Sequence, residues 1–180
     1  MAKSVPAVVL AAGASARLGM PKAMVEWNGE TLVGRSVRLL KESGCSPIVV
    51  VTRQELLVEI ALECKDANVV VNNEPEAGRT GSIQAGLMSL ISDKGKTPRQ
   101  VFIVPVDRCG WNISTIESLI GKEGNVSPAP SGHPLLLSDI EKVLSASKDE
   151  SLREIISISK INAPGEYMNI DRPEDLEGLN

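Results

Sequence analysis

Three apolar stretches limit what this chain can fold into. Residues 5–11, 47–52 and 101–106 carry almost no polar side chains. A strand with one wet face alternates polar and apolar residues, so an unbroken run is expected for a strand covered on both faces. Between these runs the period changes to that of a helix. In residues 32–40, Leu32, Ser36, Leu39 and Leu40 share a face, with Gly44 as a stop signal. Residues 56–62 read as helical and 69–71 as a third strand, and a further helix carries Ile83, Leu87, Leu90 and Ile91. Buried strands alternating with helices predict a three-layer α/β sandwich with a mostly parallel, Rossmann-like sheet.

The second half is less regular. Ser114 and Glu117 suggest a capping box ahead of Ile116 and Leu119. Residues 128–134 read as a proline-rich loop, 140–144 and 152–158 as helical, 167–170 as a last strand and 173–179 as a closing helix. No linker or repeat divides the chain, so residues 1–180 are expected to form one domain.

Composition excludes several classes of function. Only Phe102, Trp27, Trp111 and Tyr167 are aromatic and the net charge is −4, which supplies neither stacking platforms nor a basic stripe for nucleic acid. No apolar run reaches the roughly 18–20 residues needed to span a membrane, and residues 1–6 lack a separate signal core. Cys45, Cys64 and Cys109 are odd in number and widely spaced, which argues against disulfides or structural zinc. A cytoplasmic location is expected. The charge is unevenly placed, however. No acidic residue precedes Glu26, whereas Lys3, Arg17 and Lys22 are basic, and that local excess suits a small anion.

The most informative stretch follows the first strand: Leu10-Ala-Ala-Gly13-Ala-Ser15-Ala-Arg17-Leu-Gly19-Met-Pro-Lys22. Small residues let backbone N–H groups approach phosphate oxygens, and two cations can add charge-assisted bonds. It is neither a Walker A loop, since Lys22 precedes Ala23, nor a Gly-x-Gly-x-x-Gly fingerprint, since Gly19 is the next glycine after Gly13. Taken alone it fits a phosphate loop or a solvated turn. In open α/β sheets ligands bind beyond the carboxyl ends of the strands, so residues 12–21 should meet residues 107–111 there. Asp107 and Asp171 each follow an expected strand, where a carboxylate can hold Mg2+ or cap a helix.

The stretch resembles the signature of the MobA-like nucleotidyltransferases, and most of all their molybdenum-cofactor cytidylyltransferase branch. The resemblance continues through Gly78-Arg-Thr-Gly81-Ser82, Val104-Pro-Val-Asp107 and Asn169-Ile-Asp171-Arg-Pro-Glu-Asp-Leu176. It implies that Leu10, Ala11, Ala12 and Gly13 cradle the base and sugar of a nucleoside triphosphate. By the same likeness Arg17 and Lys22 hold its phosphates, Gly81 and Ser82 touch the base or ribose, and Asp107 and Asp171 share Mg2+. Arg17, Lys22, Asp107 and Asp171 are thus the candidate catalytic residues. The guanylyltransferase branch has glycine where Ala12 stands, which favours CTP over GTP. Gly132-His133-Pro134 resembles a segment that lines the acceptor side of the cytidylyltransferases, which makes His133 a candidate substrate-binding residue. The chain departs from the family pattern at Cys109, commonly proline, and at Arg172, commonly threonine.

The implied reaction needs no general base, because an acceptor phosphate is already anionic when it attacks the α-phosphorus and displaces pyrophosphate. Three readings remain open: cytidylyl transfer to molybdopterin or its metal-loaded form, with guanylyl transfer as its variant; nucleotidyl transfer to a sugar or alcohol phosphate; and a nucleotide-binding regulatory protein without turnover.

Overall fold

A computed structural model describes residues 4–179; Lys3, one of the three early cations, lies outside the described residues. Each long apolar run becomes a strand in the middle of a seven-stranded sheet. Strand β1 (Ala7–Ala11) lies parallel between β4 (Ile48–Thr52) and β6 (Val101–Pro105), and β5 (Asn68–Val71) extends the sheet parallel to β4. Two strands that flank the loop expected over 128–134, overlapping it only at 128–129, continue the sheet on the other side: β8 (Leu135–Leu137), antiparallel to β6, and β7 (Val126–Ala129). The edge is β9 (Ser159–Asn162), parallel to β7, giving the order β5-β4-β1-β6-β8-β7-β9.

Alternate residues of β1 explain why its run is continuous. Ala7, Val9 and Ala11 join one buried apolar cluster with Leu32, Val33 and Leu40 of α1 (Leu32–Glu42), Ile60 of α2 (Leu57–Glu63) and Ile116 and Leu119 of α4 (Ile113–Leu119). Val8 and Leu10 join the other with Ile83, Leu87 and Leu90 of α3 (Arg79–Lys94) and Ile140 and Val143 of α5 (Ile140–Ser145). With each buried Leu, Ile or Val worth about 1.5–3 kcal/mol, two covered faces make the α/β sandwich the favoured burial. Helix α6 (Leu152–Ile155) is short and packs near α5. No helix among the described residues is long and apolar enough to cross a membrane.

Several local expectations are corrected. Helix α4 is capped by Asn112, not Ser114: Asn112 Oδ1 accepts from the Thr115 N–H (3.2 Å) and Thr115 Oγ1 accepts from the Asn112 N–H (3.0 Å), so a threonine takes the part expected of Glu117. Residues 167–170 form no strand. One backbone bond, from the Ile170 N–H to the Asp107 carbonyl, ties them to the loop after β6, and residues 173–179 form a 3-10 helix. The helix expected over 152–158 stops at Ile155, because Ile156 is extended. Asn28 and Gly29, both with positive φ, form the tight turn joining the short strands β2 (Glu26–Trp27) and β3 (Glu30–Thr31), a hairpin signal in the sequence that the helical pattern of residues 32–40 overshadowed.

Gly86 marks the closest approach of α3 to the sheet. A Cβ there would lie 2.3 Å from Val8 Cγ1 and 3.0 Å from Val51 Cγ2. Overpacking typically costs about 1–3 kcal/mol, whereas replacing glycine in a helix gains about 1 kcal/mol, so the clash prevails. Gly86→Ala is expected to lower the urea midpoint; an unchanged or raised midpoint would show that α3 can move away freely.

Candidate active site

The strand order places β4 and β5 on one side of β1 and β6 on the other, so the chain reverses direction across the sheet beside β1. A cleft of about 370 Å3 opens beyond the carboxyl ends of β1 and β6, within the range of small-ligand sites. Leu10, Ala11, Ala12, Gly13, Arg17 and Lys22 line it from one side, Asp107 and Asp171 from another, and Ser82 with Arg79 from the start of α3. Two expected residues lie elsewhere. Gly81 turns away, with an added Cβ meeting the Lys148 side chain at 3.4 Å, and it borders a separate groove. His133 is not part of the cleft lining.

The loop after β1 is an ordered turn. Leu18 is buried as an anchor, the N–H groups of Leu18 and Gly19 donate to the Ser15 carbonyl (3.1 Å each), and Ser15, at φ 54°, accepts the Lys22 N–H on its hydroxyl (3.0 Å). Ser15 therefore holds Lys22 in place, a role that its small size alone did not signal. Gly13 has an ordinary φ, and a methyl there would meet no protein atom within 4 Å. The fold does not need this glycine; its missing side chain leaves room in the cleft. Ala12, by contrast, packs its methyl in the apolar cluster under α3, and its carbonyl accepts from Arg53 Nε (3.2 Å).

Residues far apart in the chain converge here. Lys22 Nζ donates to Asp107 Oδ2 (3.3 Å) and to Asp171 Oδ1 (2.8 Å), and Arg17 Nη2 lies 3.1 Å from the same Asp171 oxygen. The Lys22, Asp107 and Asp171 side chains are 16–19% exposed, against 69% for Arg17. The Lys22 ammonium holds the Asp171 carboxyl below its usual range, with burial opposing. Asp171 is placed by its neighbours: the Ile170 N–H donates to the Asp107 carbonyl (2.9 Å), and the N–H groups of Asp171 and Arg172 both donate to Asp175 Oδ2 (2.8 Å each). Asp175 went unnoticed in the sequence, although an acidic residue four positions after the start of such a turn is a capping signal. Gly110 was also missed. A Cβ there would sit 2.2 Å from the Glu166 carbonyl oxygen, so its absence lets residues 164–170 lie against the loop after β6.

Two carboxylates focused on one cation suit Mg2+, which takes one or two carboxylates and completes its shell with water and phosphate. No group of three or more His, Cys, Asp or Glu side chains able to hold a metal occurs among the described residues, so an all-protein cage is not built here.

The domain model for the MobA-like NTP transferase domain matches residues 7–162. The chain belongs to this family. It is 36% identical over 84 residues to a probable molybdenum cofactor guanylyltransferase of Opitutus terrae, a match covering 47% of this chain and 42% of that protein. It is 29% identical over 152 residues to nicotine blue oxidoreductase of Paenarthrobacter nicotinovorans, covering 74% and 70%. This MobA-like chain thus spans less than half of the first relative. Its fold matches the crystal structure of Rv0371c from Mycobacterium tuberculosis (TM-score 0.74, 19% identity, 98% of each chain). It also matches the inositol-1-phosphate CTP transferase from T. maritima (TM-score 0.69, 16% identity, 98% of this chain and 95% of that one).

His133 sits beside this MobA-like centre with its Nδ1 buried and unpartnered. Burial pushes its imidazole down to about 4, and the Arg79 and Arg108 guanidiniums push the same way. Its folded value lies below its unfolded one, so the unfolded chain binds the proton first, and stability is lost as pH falls from 6.5 towards 4. At 1.36 kcal/mol per unit the loss is on the order of 3 kcal/mol. His133→Gln should flatten the acid limb of stability against pH in this window, as read by denaturant melts; an unchanged limb would mean that the imidazole is not buried neutral.

Proposed function

We propose that this chain transfers a nucleotidyl group from a nucleoside triphosphate, CTP foremost, to a phosphorylated acceptor of the molybdopterin type. One observation carries the proposal: Arg17, Lys22, Asp107 and Asp171 meet at the mouth of a single cleft. Cations that can bind a triphosphate and carboxylates that can bind its metal are what nucleotidyl transfer requires side by side. The Opitutus relative, a probable molybdenum cofactor guanylyltransferase, supports the nucleotidyl part. The T. maritima neighbour, a CTP transferase acting on inositol 1-phosphate, supports a phosphorylated acceptor. Cys45, Cys64 and Cys109 are free and buried, which suits a reducing cytosol.

In this mechanism the main chain of residues 10–13 bounds the nucleoside, and the bare Gly13 leaves it space. Lys22, fixed from behind by Ser15, and the more exposed Arg17 contact the triphosphate. Asp107 and Asp171 would hold Mg2+, which supplies neutralisation of the phosphate charge. An acceptor phosphate oxygen forms a bond to the α-phosphorus; the bond from that phosphorus to the oxygen bridging towards the β-phosphate breaks, and pyrophosphate leaves with the electron pair. No proton need be removed from the nucleophile. Catalysis is positioning and charge, consistent with a site that contains no paired His, Cys or Ser nucleophile.

Pyrophosphate release from a matrix of the four ribonucleoside triphosphates against molybdopterin, sugar phosphates and alcohol phosphates tests the proposal. CTP with molybdopterin is expected to turn over fastest. Preference for GTP would place the chain in guanylyl transfer, the activity of the probable guanylyltransferase from Opitutus. Turnover with a sugar or alcohol phosphate alone would favour the second acceptor class. Tight nucleotide binding without turnover on any acceptor would mean a regulatory protein.

In the productive pair, Asp107→Asn and Asp171→Asn should each lower kcat by about a hundredfold or more with the fold retained. Lys22→Ala should weaken CTP far more than cytidine in calorimetric titrations. Near-normal rates for both asparagine variants in saturating Mg2+, or equal losses for CTP and cytidine, would contradict these roles.

A further inference from the structure

Beyond Arg17 and Lys22, three further arginines lie in or around the cleft. Arg79 opens α3 and lines the cleft, Arg108 directly follows Asp107, and Arg153 lies on α6. The guanidiniums of all three act on the His133 imidazole, and only the Asp107 carboxylate opposes them. None of the three arginines pairs with a carboxylate among the described residues. Two polar atoms here, Arg108 Nε and His133 Nδ1, are buried without a hydrogen-bond partner. Buried polar atoms are nearly always satisfied, so these two leave hydrogen-bonding capacity unused beside the cleft.

The far end of Arg108 meets Tyr167. Arg108 Nη1 donates to the tyrosine hydroxyl (3.3 Å), and its guanidinium carbon lies 5.5 Å from the ring centroid. Tyr167 is 57% exposed, whereas Phe102 and Trp111 are buried. Its segment is pinned to the cleft wall: the Glu166 N–H donates to the Gly110 carbonyl (2.8 Å), and the Ile170 N–H donates to that of Asp107. An aromatic ring held in water at this place serves no core.

We propose that Arg79, Arg108 and His133 receive the phosphate of the acceptor, and that the Tyr167 ring faces the acceptor's body and selects a flat, unsaturated one over a polyol. This rests on the nucleotidyl-transfer reading and adds to it the residues that choose the acceptor. Two guanidiniums suit a phosphate dianion, and a neutral imidazole can complete it with one N–H. An exposed aromatic face is indifferent to a polyol but stacks on a planar ring, an effect of about three- to tenfold in affinity.

Two small phosphate monoesters separate these contributions: 4-nitrophenyl phosphate, with a flat ring, and glycerol 3-phosphate, without one. Each is titrated calorimetrically into the full chain, alone and with Mg2+ and α,β-methylene-CTP. The aryl phosphate is expected to bind at least about threefold more tightly. Tyr167→Ala should reduce it to the glycerol 3-phosphate level, and Tyr167→Phe should keep the preference. Arg108→Ala should weaken both probes about tenfold or more; Arg79→Ala repeats the test should the first variant lose its fold. Equal binding of the two probes, no binding of either, or unchanged binding in both arginine variants would overturn the proposal. Failure of the CTP analogue to bind counts against nucleotidyl transfer instead, while the titrations of the probes alone still decide the acceptor site.

Discussion

The Lys22 ammonium ties together three parts of the chain that share no secondary structure: the loop after β1, the end of β6 and the segment beyond β9. Its two carboxylate partners lie 85 and 149 residues away. The three side chains are largely shielded from water, so their attraction is little screened, and loss of one member leaves like charges or a lone charge facing the cleft. An assembled ion pair of this kind contributes little net stability, because desolvation of both charges offsets their attraction. The cluster is therefore poor value as a fastening and good as a device for preorganisation. Charged groups already lie where a triphosphate and its metal would need them.

The sheet makes that convergence possible. β1 is central and parallel to both neighbours, so the loops leaving β1 and β6 emerge at the same end. The register pairs Leu10 with Pro105, and the Val106 N–H donates to the Leu10 carbonyl (3.2 Å), which sets Asp107 level with the start of the loop after β1. Two covered faces hold this register firmly, because a slip by one residue would exchange the residues of the two apolar clusters.

Cys109 shows how the chain meets a structural need without the proline common at that position in the family. The residue is buried in the larger apolar cluster, and burial pushes its thiol up to about 11, so it is a packing group and not a nucleophile. The surrounding loop is stiffened by other means. Backbone bonds from Glu166 and Ile170 clamp it on one side, and Arg35 Nη2 donates to the Trp111 carbonyl (3.1 Å) on another while its guanidinium lies over the Trp27 ring.

The sequence by itself determined the alternation of doubly buried strands and helices, because hydrophobic periodicity acts locally and residues 5–11, 47–52 and 101–106 admit few other uses. It also marked Arg17, Lys22 and Asp107, since glycine-punctuated loops and strand-end carboxylates are local patterns, whereas Asp171 was marked through an expected strand over 167–170 that does not form. The strands β7 and β8 were hidden, because Pro128, Pro130 and Pro134 read as loop while their pairing partners lie elsewhere in the chain. Tertiary structure alone decided that Lys22 stands between the two aspartates, that Gly81 turns from the cleft while Ser82 enters it, and that Gly110 exists to admit the Glu166 backbone. Each is a contact between segments tens of residues apart, and such contacts depend on how elements pack, which no local pattern of side chains encodes.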